Sequence, residues 1–166
     1  MTDSVEIVQT DYTDQEQRSA IPCLLNTYAK GLLGFRSEIK KQVLDGLVPG
    51  LEQTQNAVVL LARTDGEYVG MAICFIGFST FHAKPLINIH DFMVLERFRG
   101  QGVGRALLGE IETIAREMDC CKITLEVQEN NISARRLYNS AGFKGSFLNQ
   151  EAGRQLFMTK HVHPTN

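Results

Sequence analysis

The run Arg99-Gly100-Gln101-Gly102-Val103-Gly104-Arg105 constrains this chain more than any other stretch. A strand-like segment precedes it. A helical pattern over Arg105–Met118 follows, with Leu107, Leu108, Ile111, Ile114, Ala115 and Met118 at helical spacing. Glycines permit φ > 0 and let main-chain N–H groups face outward. A helix N-terminus adds roughly half a positive charge at the same point. Strand, glycine turn and helix together make a seat for phosphate or pyrophosphate; the plain alternative is a glycine-rich turn with no ligand. Two well-known phosphate loops do not fit. A P-loop ends in Gly-Lys-Ser/Thr, and here Gly104 is followed by Arg105-Ala106. The dinucleotide fingerprint Gly-x-Gly-x-x-Gly needs glycine where Arg105 stands, and although Glu126 sits about 20 positions on, the strand order is not doubly wound.

Around this turn the hydrophobic periodicity predicts a mixed fold. Val5–Gln9 reads as a short strand, and Asp14 caps a helix toward Lys30 with Ile21, Leu24, Leu25 and Tyr28 on one face. A second helix is expected over Arg36–Leu47, with Ile39, Val43 and Leu47 at helical spacing and Pro49-Gly50 as its breaker. Ala57–Ala62 and Tyr68–Ser79 read as antiparallel strands joined at Asp65-Gly66, a hairpin turn. Lys84-Pro85 turns the chain into a strand over Leu86–Leu95. After the long helix come a β-branched strand, Cys121–Val127, and a short helix capped by Asn131 or Ser133 and stopped at Gly142. Phe147–Leu148 and Leu156–Val162 are expected as closing strands. The order β-α-α-β-β-β-α-β-α-β-β puts a strand–helix–strand crossover near the middle, hence a parallel pair there and antiparallel strands before it.

Composition removes other classes. The 166 residues suit one domain, with 43% hydrophobic and 22% charged residues arguing against disorder. A net charge of −2, from 17 basic and 19 acidic residues, argues against a nucleic-acid partner. Cys23, Cys74, Cys120 and Cys121 form no CxxC and no Cys/His cluster of metal spacing, so no metal is expected. Their usage fits a reducing, cytoplasmic setting. Residues Met1–Thr10 do not read as a signal peptide, and the apolar stretch around Met71–Phe81 is short of the ~20 residues of a membrane span.

Arg99, Gly102 and Gly104 in the pattern Arg-x-x-Gly-x-Gly resemble the acyl-CoA-binding loop of the GNAT superfamily of N-acetyltransferases. The preceding INIHDFMVLERFRG is similar to that family's fourth strand. Downstream, LEVQENNISARRLYNSAGF resembles its second signature: a strand ending in Val, then Asn-x-x-Ala, Leu-Tyr and Gly-Phe. The likeness covers about Tyr68 to Val162. It implies one GNAT-like domain over residues 1–166, an α/β (α+β) fold. Its mixed, mostly antiparallel sheet would hold a central parallel splayed strand pair between flanking helices.

The resemblance also implies a chemistry: acetyl transfer from acetyl-CoA to a primary amine. Main-chain groups from Gly100, Gln101, Gly102, Val103, Gly104 and Arg105, with Arg99, would cradle the pyrophosphate. The main chain of Phe92, Met93 and Val94 would align the pantetheine arm, and a backbone N–H near Phe92 would meet the oxyanion. Tyr138 follows Asn131 by seven residues, two helical turns, so both share a face with Ala134 between them. Within the motif Tyr138 is the expected acid, and Asn131 and Ala134 contact the arm; alone, Tyr138 would be a packed aromatic and Asn131 an N-cap. The base is open among His90 and Glu126. His90 stands where many relatives carry glutamate, just ahead of the bulge that the resemblance implies, and histidine is a residue type suited to general-base work.

FIGFSTFHAKPLINIHDFMV is similar to the diamine acetyltransferase branch, which points to a small amine or polyamine, with Asp91 as a substrate contact. Amino acids, aminoglycosides and protein amines stay open as acceptors. Cys74 lacks an activating neighbour, so direct ternary-complex attack is expected rather than a covalent enzyme intermediate. The alternative is a non-catalytic acyl-CoA-binding or regulatory module. A homodimer is suggested only by the habits of the family.

Overall fold

The computed structural model describes residues 4–31, 34, 36–145 and 158–162. One five-stranded sheet organises them in the order β1 (Glu6–Gln9), β2 (Ala57–Thr64), β3 (Glu67–Ser79), β4 (Lys84–Val94) and β5 (Ile123–Leu125). The first four pair antiparallel, and β4–β5 is parallel. The crossover is α3 (Val103–Glu117), entered through a short 3-10 turn at Glu96–Phe98. The other face carries α1 (Gln15–Lys30) and α2 (Lys41–Gln53). The short α4 (Ile132–Ser140) joins the α3 face through Tyr138.

The continuous apolar run of β2 is explained by burial on both sides. Val58, Leu60 and Ala62 pack toward α3, while Val59 and Leu61 pack toward α1 and α2. Leu60 and Leu61 are fully buried, each contributing about 1.5–3 kcal/mol by transfer from water. On α3, Val103, Leu107, Leu108, Ile111 and Ala115 recur at helical spacing and fill the first core. The expected hairpin forms at Asp65-Gly66, whose φ values of +50° and +78° suit the twist of paired strands. Asp14 caps α1 as expected, its carboxylate accepting the N–H groups of Glu16 and Gln17 at 2.8 and 3.3 Å.

Three expectations change. The second helix starts at Lys41 rather than Arg36 and runs through Pro49-Gly50 to Gln53. Arg36 has φ +54°, outside the helical region, and the Ile39 N–H is taken by Asn26 Oδ1 of α1 at 2.9 Å. On either side of the Pro49-Gly50 pair, burial of Val48 and Leu51 in one core with Ile21 and Leu24 overrides the local breaker, while Val43 turns outward. The second change is at β5, which is paired only over Ile123–Leu125, so Glu126 and Val127 leave the sheet. The third concerns the C-terminal strands. Phe147–Leu148 and Leu156 lie outside the described residues, and residues 158–162 are in no strand.

Candidate functional site

The site begins with a break in strand register. Ile73 of β3 faces Asp91, but its neighbour Cys74 faces Ile89, so His90 is an extra residue on β4. Such a bulge bends the strand and raises its twist. Before it, Ile87 and Ile89 point into the α3 core; after it, Phe92 and Val94 do. The bulge thus falls at His90 itself rather than beyond Asp91. The parallel partner ends at the same level: the last β4–β5 pair is Ile89 with Leu125. From Asp91 onward β4 has no strand on that side among the described residues, and its main chain borders a cavity of about 610 Å³.

The cavity lining comes from both faces of the sheet. Phe92, Val94, Ala134, Leu137 and Tyr138 belong to the α3/α4 side, Tyr28 and Met93 to the α1/α2 side. His90 is on the α1/α2 side as well, its ring edge-on to Phe75 with centroids 5.4 Å apart. Charge is segregated along the lining. Arg99, Arg105 and Arg136 come from the glycine turn, α3 and α4, whereas Asp91 and Glu126 come from β4 and the segment after β5.

At the cationic end, Gly100 and Gly102 have φ +76° and +88°. Both are left-handed conformations that a side chain would strain. Gly102 is the N-cap of α3, with no side chain capping it and no acidic residue in the first turn. The amides that open a helix lack intrahelical acceptors, and here they point their partial positive charge toward the cavity wall. A Cβ on Gly104 would come within 2.8 Å of Leu137 Cδ2, so the start of α3 presses closely on α4. Arg99 Nε donates to the Val94 carbonyl at 3.1 Å, tying the turn to the end of β4.

Tyr138 also lines the cavity and is only 7% exposed. Its ring meets Phe92 and Phe143 edge-on or tilted, each at 5.8 Å. Burial, aided by the nearby Tyr28, pushes its phenol up to about 12. No described residue hydrogen-bonds its hydroxyl. Asn131 caps α4, accepting the Ala134 N–H at 3.2 Å. At the anionic end, burial raises the Asp91 carboxyl above the usual range, with His90 pulling it partly back. Cys74 is pushed up to about 12, first by burial and then by the Asp91 charge.

The cavity collects most of the residues singled out in the sequence: His90, Asp91, Phe92, Met93, Val94, Arg99, Gly100, Gly102, Gly104, Arg105, Glu126, Asn131, Ala134 and Tyr138. Two stand apart. The Gln101 side chain folds back to donate to the Arg97 carbonyl at 2.8 Å, and Val103 is buried in the core. Tyr28 and Arg136 also line the cavity, and nothing local in the sequence marked them. The bulge did leave a trace: apolar residues fall on odd positions at Ile87 and Ile89, then on even ones at Phe92 and Val94. Among the described residues no group of three or more His, Cys, Asp or Glu could hold a metal ion, and no helix is long and apolar enough to cross a membrane.

Comparison with known proteins matches residues 26–143 to the model of the acetyltransferase (GNAT) family. An uncharacterized N-acetyltransferase of Archaeoglobus fulgidus is 39% identical over 83 residues, 49% of this chain and 56% of that protein. A spermine/spermidine N(1)-acetyltransferase of Bacillus subtilis is 32% identical over 83 residues, 48% of this chain and 55% of the relative. The chain thus spans about half the length of these curated relatives. The fold is shared with a crystal structure of a probable acetyltransferase, at TM-score 0.77 and 21% identity, over 94% of this chain and 99% of the other.

Proposed function

The chain belongs to the acetyltransferase (GNAT) family, and from that premise we propose that it transfers the acetyl group of acetyl-CoA to a primary amine of a small molecule, by direct attack in a ternary complex. One observation carries this reading. A single cavity is lined both by the glycine turn with Arg99, Arg105 and Arg136 and by the carboxylates of Asp91 and Glu126. Phosphates suit the first and an ammonium suits the second.

Acetyl-CoA, the family's donor, supplies an acyl group on a thioester. The residues present fit it. Amides from Gly100 to Arg105 and the helix terminus favour the pyrophosphate, with Arg99 beside them. The main chain of Phe92, Met93 and Val94 lacks a β5 partner, which leaves it available to the amide-bearing pantetheine arm, with Asn131 and Ala134 opposite. An N–H near Phe92 acts as oxyanion donor, a role that contributes about 3 kcal/mol to barrier lowering.

Tyr138 keeps its proton throughout the neutral range, since its phenol lies at about 12. Full transfer to an alkyl thiolate, of pKa about 8.5, is uphill by roughly three units before the donor binds. Its role is therefore hydrogen-bond donation to the leaving sulfur, with the proton following as charge builds. His90, Asp91 and Glu126 offer the acceptor amine its counter-charge and its proton acceptor. A covalent route through Cys74 is disfavoured, because a thiol at about 12 holds almost no thiolate at neutral pH. The same reading treats residues 1–166 as one acetyltransferase domain of the cytoplasm, where four unpaired thiols persist.

Thiol release from acetyl-CoA with a panel of mono- and polyamines tests the assignment. Amine-dependent CoA release with an acetylated product is expected. Binding of acetyl-CoA with no release for any amine would overturn it in favour of a non-catalytic acyl-CoA-binding module.

A further inference from the structure

In a regular strand His90 and Asp91 would project from opposite faces. The bulge cancels that alternation. His90 meets Phe75, a residue of the α1/α2 core, and Asp91 stands opposite Ile73 of the same core. Two consecutive ionisable side chains therefore share one face and line one cavity. They differ in depth: His90 is exposed and Asp91 is partly buried. No hydrogen bond or ion pair from a described residue reaches the Asp91 carboxylate. A partly buried carboxylate without a donor is costly, and one that lines an open cavity is a place for a cationic ligand.

We propose that Asp91 takes the proton from the acceptor's ammonium and that His90, at the rim, hands it on to water. The proposal rests on the acetyltransferase reading above and resolves its acceptor side. The ammonium gives its proton to the Asp91 carboxylate, leaving a neutral amine and a carboxylic acid. The amine lone pair then forms the new C–N bond as the thioester C–S bond breaks. Asp91 returns to carboxylate by passing the proton to the neutral imidazole of His90, which releases it to solvent.

The surroundings favour Asp91 over its neighbours. Burial makes its carboxylate a better proton acceptor than an exposed one. The cavity that Asp91 lines also takes Tyr28 from α1, Glu126 beyond β5 and Tyr138 from α4, and the buried Cys74 thiol of β3 feels the Asp91 charge. Of these only Glu126 is a second carboxylate, and it is exposed to solvent. The low-pH limb of kcat/KM then reports Asp91: activity rises as the carboxylate ionises and is lost as pH falls.

The test is the pH profile of kcat/KM for one amine turned over by the wild type, with CoA affinity measured on each variant. Asp91→Asn should lower kcat about 100-fold or more and remove the acidic limb, with the CoA Kd within about twofold. Asp91→Glu should keep the limb. His90→Gln should slow turnover several-fold with the limb retained, and added imidazole should restore it. The inference is overturned by an Asp91→Asn enzyme that keeps its rate and limb. A limb abolished by His90→Gln with no rescue by imidazole would overturn it too. If Asp91→Asn fails to bind CoA, the Asp91→Glu profile and the imidazole rescue decide. A wild type that acetylates no amine fails the functional reading instead, a different result from an active wild type with a normal Asp91→Asn variant.

Discussion

On the α3/α4 face the cavity is walled by a glycine turn, a helix terminus and three arginines; on the α1/α2 face it is walled by Tyr28, His90 and Asp91. The first wall offers a ligand mostly main chain. Its geometry depends on two positive-φ glycines and on a helix start pressed against α4. The second wall offers side chains, delivered by a bulge in β4 and by a helix from the distant N-terminal part of the chain. A main-chain site requires a particular residue pattern, so it can be shared across a family with one donor. A side-chain site changes with single substitutions, which suits a scaffold that serves many acceptors.

Substitutions that act on one face and spare the other show whether the two walls are independent. Tyr138→Phe keeps the ring contacts to Phe92 and Phe143 and removes only the hydroxyl. It should lower kcat about 100-fold with little change in CoA Kd; an equal change in both would make the phenol a packing group. Gly102→Val forces a β-branched residue to φ +88° where its Cβ meets nothing within 4 Å. The cost of about 1–2 kcal/mol should weaken CoA binding about tenfold by calorimetry, with the acceptor KM unchanged. Gly34→Ala puts a Cβ 2.4 Å from the Tyr28 carbonyl oxygen, so the turn after α1 must shift. Thermal unfolding should drop by several degrees for about 1–3 kcal/mol of strain, and the acceptor KM should rise several-fold while CoA affinity holds. Tyr28→Phe, the mildest change, should raise the acceptor KM by about twofold, the scale of one solvent-compensated hydrogen bond. A shift in CoA affinity there would show that the two walls are not separate.

The same contrast explains what was legible in the chain. The glycine turn, the Asn131–Tyr138 face and the meander are local patterns, and local rules find them. The second helix was misplaced because Val48 and Leu51 are buried by partners in α1 and the sheet, a tertiary gain that outweighs the Pro49-Gly50 break. Tyr28 looked like one more apolar position on a helix face, and only the sheet's splay leaves it beside a cavity. The His90 bulge was half-legible, since the parity of apolar residues slips between Ile89 and Phe92. The sequence leaves the base open among His90 and Glu126; the slip adds Asp91, placed on the same face as His90 and deeper.

The most direct measurement is a crystal structure of the protein with CoA and an unreactive amine analogue bound together. The pyrophosphate is expected against the amides of Gly100–Arg105 on the α3/α4 face. The sulfur is expected beside Tyr138, and the amine against Asp91 on the opposite face. Both ligands entering from one face of the sheet, or CoA seated away from the glycine turn, would contradict this placement.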